Sequence, residues 1–108
     1  MSDRELLELA AKAAGLPHKW IPILGKMLHI IDGGNSDTWN PLTDDGDALR
    51  LAVKLAIDFK IRNGVTWWDH QKSDGVVCWG YERHNDDPLA ATRRAIVRAA
   101  AEIGRQMP

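Results

Sequence analysis

Apolar and polar positions along this chain recur with two periods, and those periods divide it into elements. Leu6, Leu7, Leu9, Ala10, Ala13 and Ala14 share one helical face, with Glu8 and Lys12 paired four apart on the other side. Ser2 and Glu5 stand at capping-box spacing before that face, and Gly15 and Pro17 stop it, so a helix is predicted over 3–14. Residues 16–25 hold Pro17, Pro22 and Gly25 and predict no regular element, with Trp20 and Ile21 plugging the loop onto the core. Residues 26–31 read as a short strand, with a helix left as the alternative by periodicity alone, ended by the turn residues Asp32-Gly33-Gly34-Asn35, and 36–39 as a very short returning strand.

The stretch from Trp39 to Asp58 predicts the helix around which the rest is organised. Pro41 keeps Asn40 extended, Asp44 is a good N-cap, and Asp45 and Asp47 put negative charge where the helix dipole favours it. Within the helix, Ala48, Leu49, Leu51, Ala52, Val53, Leu55 and Ala56 leave only the strip Arg50, Lys54 and Asp58 polar. A helix apolar on so many sides is expected to be packed into the protein rather than laid on it.

The period then changes to two. Residues 57–62 alternate apolar with polar, Asn63-Gly64 is the strongest hairpin signal in the chain, and 65–69 is expected to pair back across it. After a polar turn over 71–75, residues 76–83 form a strand with Val77, Trp79 and Tyr81 on one face and Val76, Cys78, Gly80 and Glu82 on the other. An edge there would offer a pairing surface to a second copy. A last helix runs from Asp87 or Pro88 to about Gly104, capped by Asp86 or Asp87. Its expected buried stripe is Leu89, Thr92, Ile96, Ala99, Ala100, Ile103 and Met107, with Arg94, Arg98, Glu102 and Arg105 opposite. The order predicts an α+β domain spanning 1–108, with three helices around a small, mainly antiparallel sheet of three to four strands.

Composition narrows the classes of function. The 108 residues carry 14 basic and 15 acidic side chains, a net charge of −1, which is not the footprint of a protein devoted to nucleic acid. One cysteine, Cys78, leaves no internal disulfide and no Cys-rich zinc site, and fits a reducing cytosol. No signal peptide and no membrane-length apolar run is seen, so a cytoplasmic location is expected. Five tryptophans against one phenylalanine and one tyrosine imply either a Trp-built core or a stacking surface for flat rings.

Two separated blocks also resemble a known family. Residues 39–55, Trp-Asn-Pro-Leu-Thr-Asp-Asp-Gly-Asp-Ala-Leu-Arg-Leu-Ala-Val-Lys-Leu, and 87–101, Asp-Pro-Leu-Ala-Ala-Thr-Arg-Arg-Ala-Ile-Val-Arg-Ala-Ala-Ala, are similar in order and spacing to the phage ABA sandwich domain family. The resemblance spans roughly residues 5–105. It implies an α/β/α sandwich encoded by a phage or prophage, and it implies no activity. Residues 59–86 are the part most particular to this chain.

Candidate chemistry is sparse. His18, His29, His70 and His84, with Cys78, Asp69, Glu82, Asp86 and Asp87, show no metal-ligand spacing, so no metal and no cofactor is expected. A Cys78 nucleophile would need His70 or His84 beside it, and a mid-strand cysteine is more often a small hydrophobe. The aspartates at 44, 45 and 47 lack the calcium-loop pattern and read as a helix start. What is left is a binding surface: Trp67, Trp68 and Tyr81 on strands, with Arg94 and Arg98 among the arginines of the last helix. Neighbours in a strand point to opposite sides, so one of Trp67 and Trp68 is expected to face away from the core as an interface anchor. The expectation is a non-catalytic accessory protein that binds a host or phage protein. The alternative is a nucleic-acid-binding regulator using the same arginines and aromatics.

Overall fold

A computed structural model describes residues 2–22, 25–30, 36–71 and 74–108. The fold is α+β, with helices α1 (Asp3–Ala14), α2 (Asp45–Leu55) and α3 (Pro88–Arg105). Strands β1 (His18–Ile21), β2 (Lys26–Ile30) and β3 (Ser36–Thr38) make one antiparallel sheet in that order. Strands β4 (Asp58–Arg62), β5 (Val65–Gln71) and β6 (Val77–Arg83) make a second. The described strands therefore form two three-stranded sheets, where one sheet of three to four strands was expected.

The β1–β3 ladder does not pair with β4–β6, and β1 adds a strand to it where no regular element was expected. Pro17 and Pro22 flank His18–Ile21 without interrupting it, and β1 is an edge strand, where a neighbouring proline costs no ladder bond. The expected turn at 32–35 and the middle of the turn at 71–75 lie outside the described residues.

Local chemistry sets the element ends. Ser2 caps α1 by accepting from the Glu5 amide at 3.2 Å, and its hydroxyl donates to the Glu5 carboxylate at 3.3 Å. Gly15 closes that helix in the left-handed region at φ 69°. Asp44 caps α2 through the Asp47 amide at 2.8 Å, and Asp87 caps α3 through the Ala90 amide at 3.0 Å with Pro88 in the first turn. Asn63 and Gly64 both take positive φ, 49° and 77°, which is the two-residue hairpin joining Arg62 to Val65.

The centre of the molecule is α3 rather than α2. Helix α3 buries Ala91, Ala95, Ile96, Val97, Ala99, Ala100, Ala101 and Gly104, and it packs against α1, α2 and the β4–β6 sheet. Its residues are small on the side facing α1, which buries Leu6, Leu7, Ala10, Ala11 and Ala14 there. Helix α2 buries only Ala48, Leu51 and Ala52, while Leu49 and Val53 are 59% and 72% exposed. Its apolar character all round thus does not mean burial all round. The predicted stripe of α3 is likewise corrected at its ends: Leu89 and Met107 are exposed. Trp39 is buried in the core cluster and its amide donates to the Met27 carbonyl at 3.0 Å, tying the α2 approach to β2.

Candidate functional site

Strand β5 lies between β4 and β6, and its alternation separates two environments. Thr66 and Trp68 point toward α3 and are buried, while Trp67 on the opposite side is 43% exposed. Trp68, 6% exposed, belongs to the core cluster, so it is corrected from a binding candidate to a packing residue. Its indole Nε1 is buried without a hydrogen-bond partner. Thr66 is held by a polar triad, with its Oγ1 at 2.8 Å from both His84 Nε2 and Thr92 Oγ1. That triad fixes the β6–α3 connection to β5 and accounts for His84 as a structural side chain.

The side of β4–β6 away from α3 is different. Trp67 touches Tyr81, its register partner, at 5.2 Å between ring centroids, and Trp79 diagonally at 5.8 Å. Trp79 is 63% and Tyr81 42% exposed, and Val77 beside them is exposed as well. Among the described residues no element packs over these rings, because α3 occupies the other face.

The register sorts the charges of this outer face into rows across the three strands. Arg62, Val65 and Arg83 make one row, Lys60, Trp67 and Tyr81 the next, and Asp58, Asp69 and Trp79 the third. The face is basic at the hairpin end, aromatic in the middle and acidic beyond it. Among the described residues none of Arg62, Arg83, Lys60, Asp58 and Asp69 takes part in an ion pair. Asp58 and Asp69 stand directly opposite each other, an arrangement that costs stability in an isolated sheet.

The arginines of α3 are not part of that face. Arg94 pairs with Asp3 at 3.1 Å, and Arg98 with Glu82 at 2.6 Å and with the Tyr81 carbonyl at 3.3 Å. Arg93 reaches Asp45 at 2.6 Å and the Leu42 carbonyl at 2.8 Å, and Arg105 pairs with Glu102 at 2.6 Å. Glu82 lies on the α3 side of β6, in the same row as Thr66. Arg93, Arg94 and Arg98 therefore stitch helices and sheet together on one side, while Trp67 and Tyr81 gather on the other. Trp79 completes the cluster, and its signal was present in its parity with Tyr81. The basic row was missed because Arg62 and Arg83 become neighbours only through the pairing of β4 and β6 with β5.

The remaining polar groups have structural duties. Asp45 pairs with Arg93, and Asp47 accepts from the Asn40 amide at 3.0 Å and from Arg50 at 2.8 Å. His18 Nδ1 lies 2.9 Å from the Leu16 carbonyl. His70 and Cys78 are register partners, yet no hydrogen bond joins them; the Cys78 sulfur instead accepts from Gln106 Nε2 at 3.5 Å. No group of three or more His, Cys, Asp and Glu side chains converges on a metal position among the described residues, and none of the described helices is long and apolar enough to cross a membrane. A cleft of about 360 Å³ lies beside Trp39, Leu51 and Lys54, but its Asp47 and Arg50 are already bonded to each other. Compared with family models, with curated proteins and with solved structures, the chain matches none.

Proposed function

We propose that this chain is a non-catalytic accessory protein that works by binding protein through the outer face of β4–β6. The observation that carries this reading is the cluster of Trp67, Trp79 and Tyr81, three exposed rings with Trp67 in contact with each of the other two, on a sheet face that no described element covers. Trp and Tyr are the residues that most often anchor protein interfaces, and contiguous exposed apolar surface marks such sites. The phage or prophage origin belongs to the same proposal and rests on the sequence resemblance of residues 39–55 and 87–101 to the phage ABA sandwich domain family alone, and the cytoplasmic setting rests on the single cysteine.

Nucleic acid is the weaker alternative. Arg94 and Arg98 already hold carboxylates, and Asp69 beside Trp79, with Asp58 next in that row, places charge there that a phosphate chain would avoid.

The test is quantitative affinity capture from bacterial lysate with the wild-type chain, a Trp67→Lys/Trp79→Lys variant and an Arg94→Ala variant. Proteins retained by the wild type and by Arg94→Ala, and lost with the double variant, are the expected result. Equal retention by all three would remove the outer face from the function.

A further inference from the structure

We infer that the protein bound by this face is a second copy of the chain, laid across β4–β6 with its strands reversed. The inference rests on the reading of the outer face as the binding surface and names its occupant. The twofold axis runs between the two sheets along the row Lys60–Trp67–Tyr81.

The charge rows carry the argument. The aromatic row sits two residues from the basic row Arg62–Val65–Arg83 and two residues from the acidic row Asp58–Asp69–Trp79. At strand rise that is about 7 Å on either side. A half-turn about the middle row therefore lays the basic row of each copy over the acidic row of the other. Lateral order is kept in that rotation, so Arg62 faces the partner's Asp58 and Arg83 faces the partner's Trp79. The partner's Asp69 arrives between Arg62 and Arg83. Lys60, Trp67 and Tyr81 lie on the axis and meet their own copies, as an isologous interface requires, the two Lys60 side chains being like charges at the β4 edge that weaken the association.

Each of these contacts answers a feature that the single chain leaves open. Asp58 and Asp69 are opposed like charges without a cation, and Arg62 and Arg83 are cations without a carboxylate, among the described residues. The exposed face of Trp79 gains a guanidinium, which is the favourable geometry for a cation beside an indole. Two sheets stacked face to face lie about 10 Å apart and within about 30° of alignment, so rows only three strands wide stay in register. A reversed stacking is favoured over a parallel one, which would put basic row on basic row.

Size sets the expected strength. Three rings, each roughly half exposed, offer on the order of 300 Å² of aromatic surface, and Val77 and the charged stems enlarge it. A standard interface needs about 800 Å² from each partner, so the dimer falls at the small, reversible end.

The experiment is sedimentation equilibrium on the purified chain from about 1 to about 300 μM, with thermal unfolding as the control for folding. The expected result is monomer at the lowest concentrations and a weight-average mass approaching the dimer at the highest. Trp67→Lys is expected to remain monomeric throughout, with a melting temperature in dilute solution within a few degrees of that of the wild type. Arg62→Glu sets acid against acid, and Asp58→Lys sets base against base, so each alone is expected to weaken self-association tenfold or more. Mixed one to one, they are expected to dimerise, because both of their contacts are then complementary.

A wild type that stays monomeric at 300 μM overturns the inference. So does dimerisation in which the mixture is no better than either variant alone. Binding of a single-stranded oligonucleotide by the monomer, lost in Trp67→Lys, would replace the second copy with nucleic acid. A monomer that still captures lysate proteins through Trp67 would leave the binding-face reading standing while this inference fails.

Discussion

Trp68 and Gly80 are register partners, and the indole occupies the space that a side chain at position 80 would need. A Cβ built on Gly80 falls 2.6 Å from Trp68 Cζ2, closer than any real contact. The glycine is therefore a requirement of the Trp68 ring and not of the backbone. Gly80→Ala should cost about 1–3 kcal/mol in urea unfolding, the usual penalty for overpacking. Combining it with Trp68→Phe, which shrinks the ring and removes the unpartnered Nε1, should cost less than the sum of the two single changes. Strict additivity would show that the ring moves aside freely.

A second glycine sits where α3 crosses α1. A Cβ on Gly104 would collide with the main-chain carbonyl of Leu9, so the two helices approach to backbone contact there. Gly→Ala inside a helix normally gains up to about 1 kcal/mol. Here the sign should reverse, with a loss of about 3 kcal/mol or more, because backbone cannot yield as a side chain can. Denaturant titration of Gly104→Ala reads the sign directly, and a stabilised variant would contradict the close crossing.

Elements whose controlling chemistry is local are legible in the sequence. Ser2, Asp44 and Asp87 each cap the helix they precede, and Asn63-Gly64 turns the expected hairpin. Features that depend on a long-range contact are not. Leu49 and Val53 are apolar enough to be buried, but no described element lies over them, whereas Ala91, Ala95, Ala101 and Gly104 of α3 fall outside the expected stripe and are buried, their small size suiting close packing. At the candidate site, the shared parity of Trp79 and Tyr81 and the opposition of Trp67 to Trp68 were legible, whereas which of the two tryptophans faces outward was not. The pairing of Arg94 with Asp3 and of Arg98 with Glu82 was not, since those partners are distant in the chain.

Ala56 ends α2 in the left-handed region at φ 52°, a conformation costly for a residue with a Cβ. Its amide bonds to the Ala52 and Val53 carbonyls, so the geometry is held by the cap. Ala56→Gly should therefore raise stability by up to about 1 kcal/mol, the relief of strain outweighing the added freedom of the unfolded chain. A lower urea midpoint for the glycine variant would show that the Ala56 methyl contributes more than its strain costs.

Trp39 joins α2 to the first sheet by burying its ring in the core cluster while its amide bonds to Met27. Trp39→Ala should destabilise by about 3–5 kcal/mol, as deletion of a buried aromatic does. A loss under about 1 kcal/mol would place the ring outside the cooperative core.

Trp67 and Trp68 are adjacent in sequence and opposite in duty, so they make an internally controlled pair. Trp68 fills the space between β5 and the helices, and Trp68→Ala should cost about 3–5 kcal/mol. Trp67 touches only Trp79 and Tyr81 among the aromatic rings, on the open face, so Trp67→Ala in a dilute monomer should change stability by no more than about 1 kcal/mol. The comparison must be made at low micromolar concentration, because any association through the outer face would add a concentration-dependent term to the wild type alone. If Trp67→Ala is as damaging as Trp68→Ala under those conditions, the exposed rings are part of the folding core, and their availability for a partner falls with it.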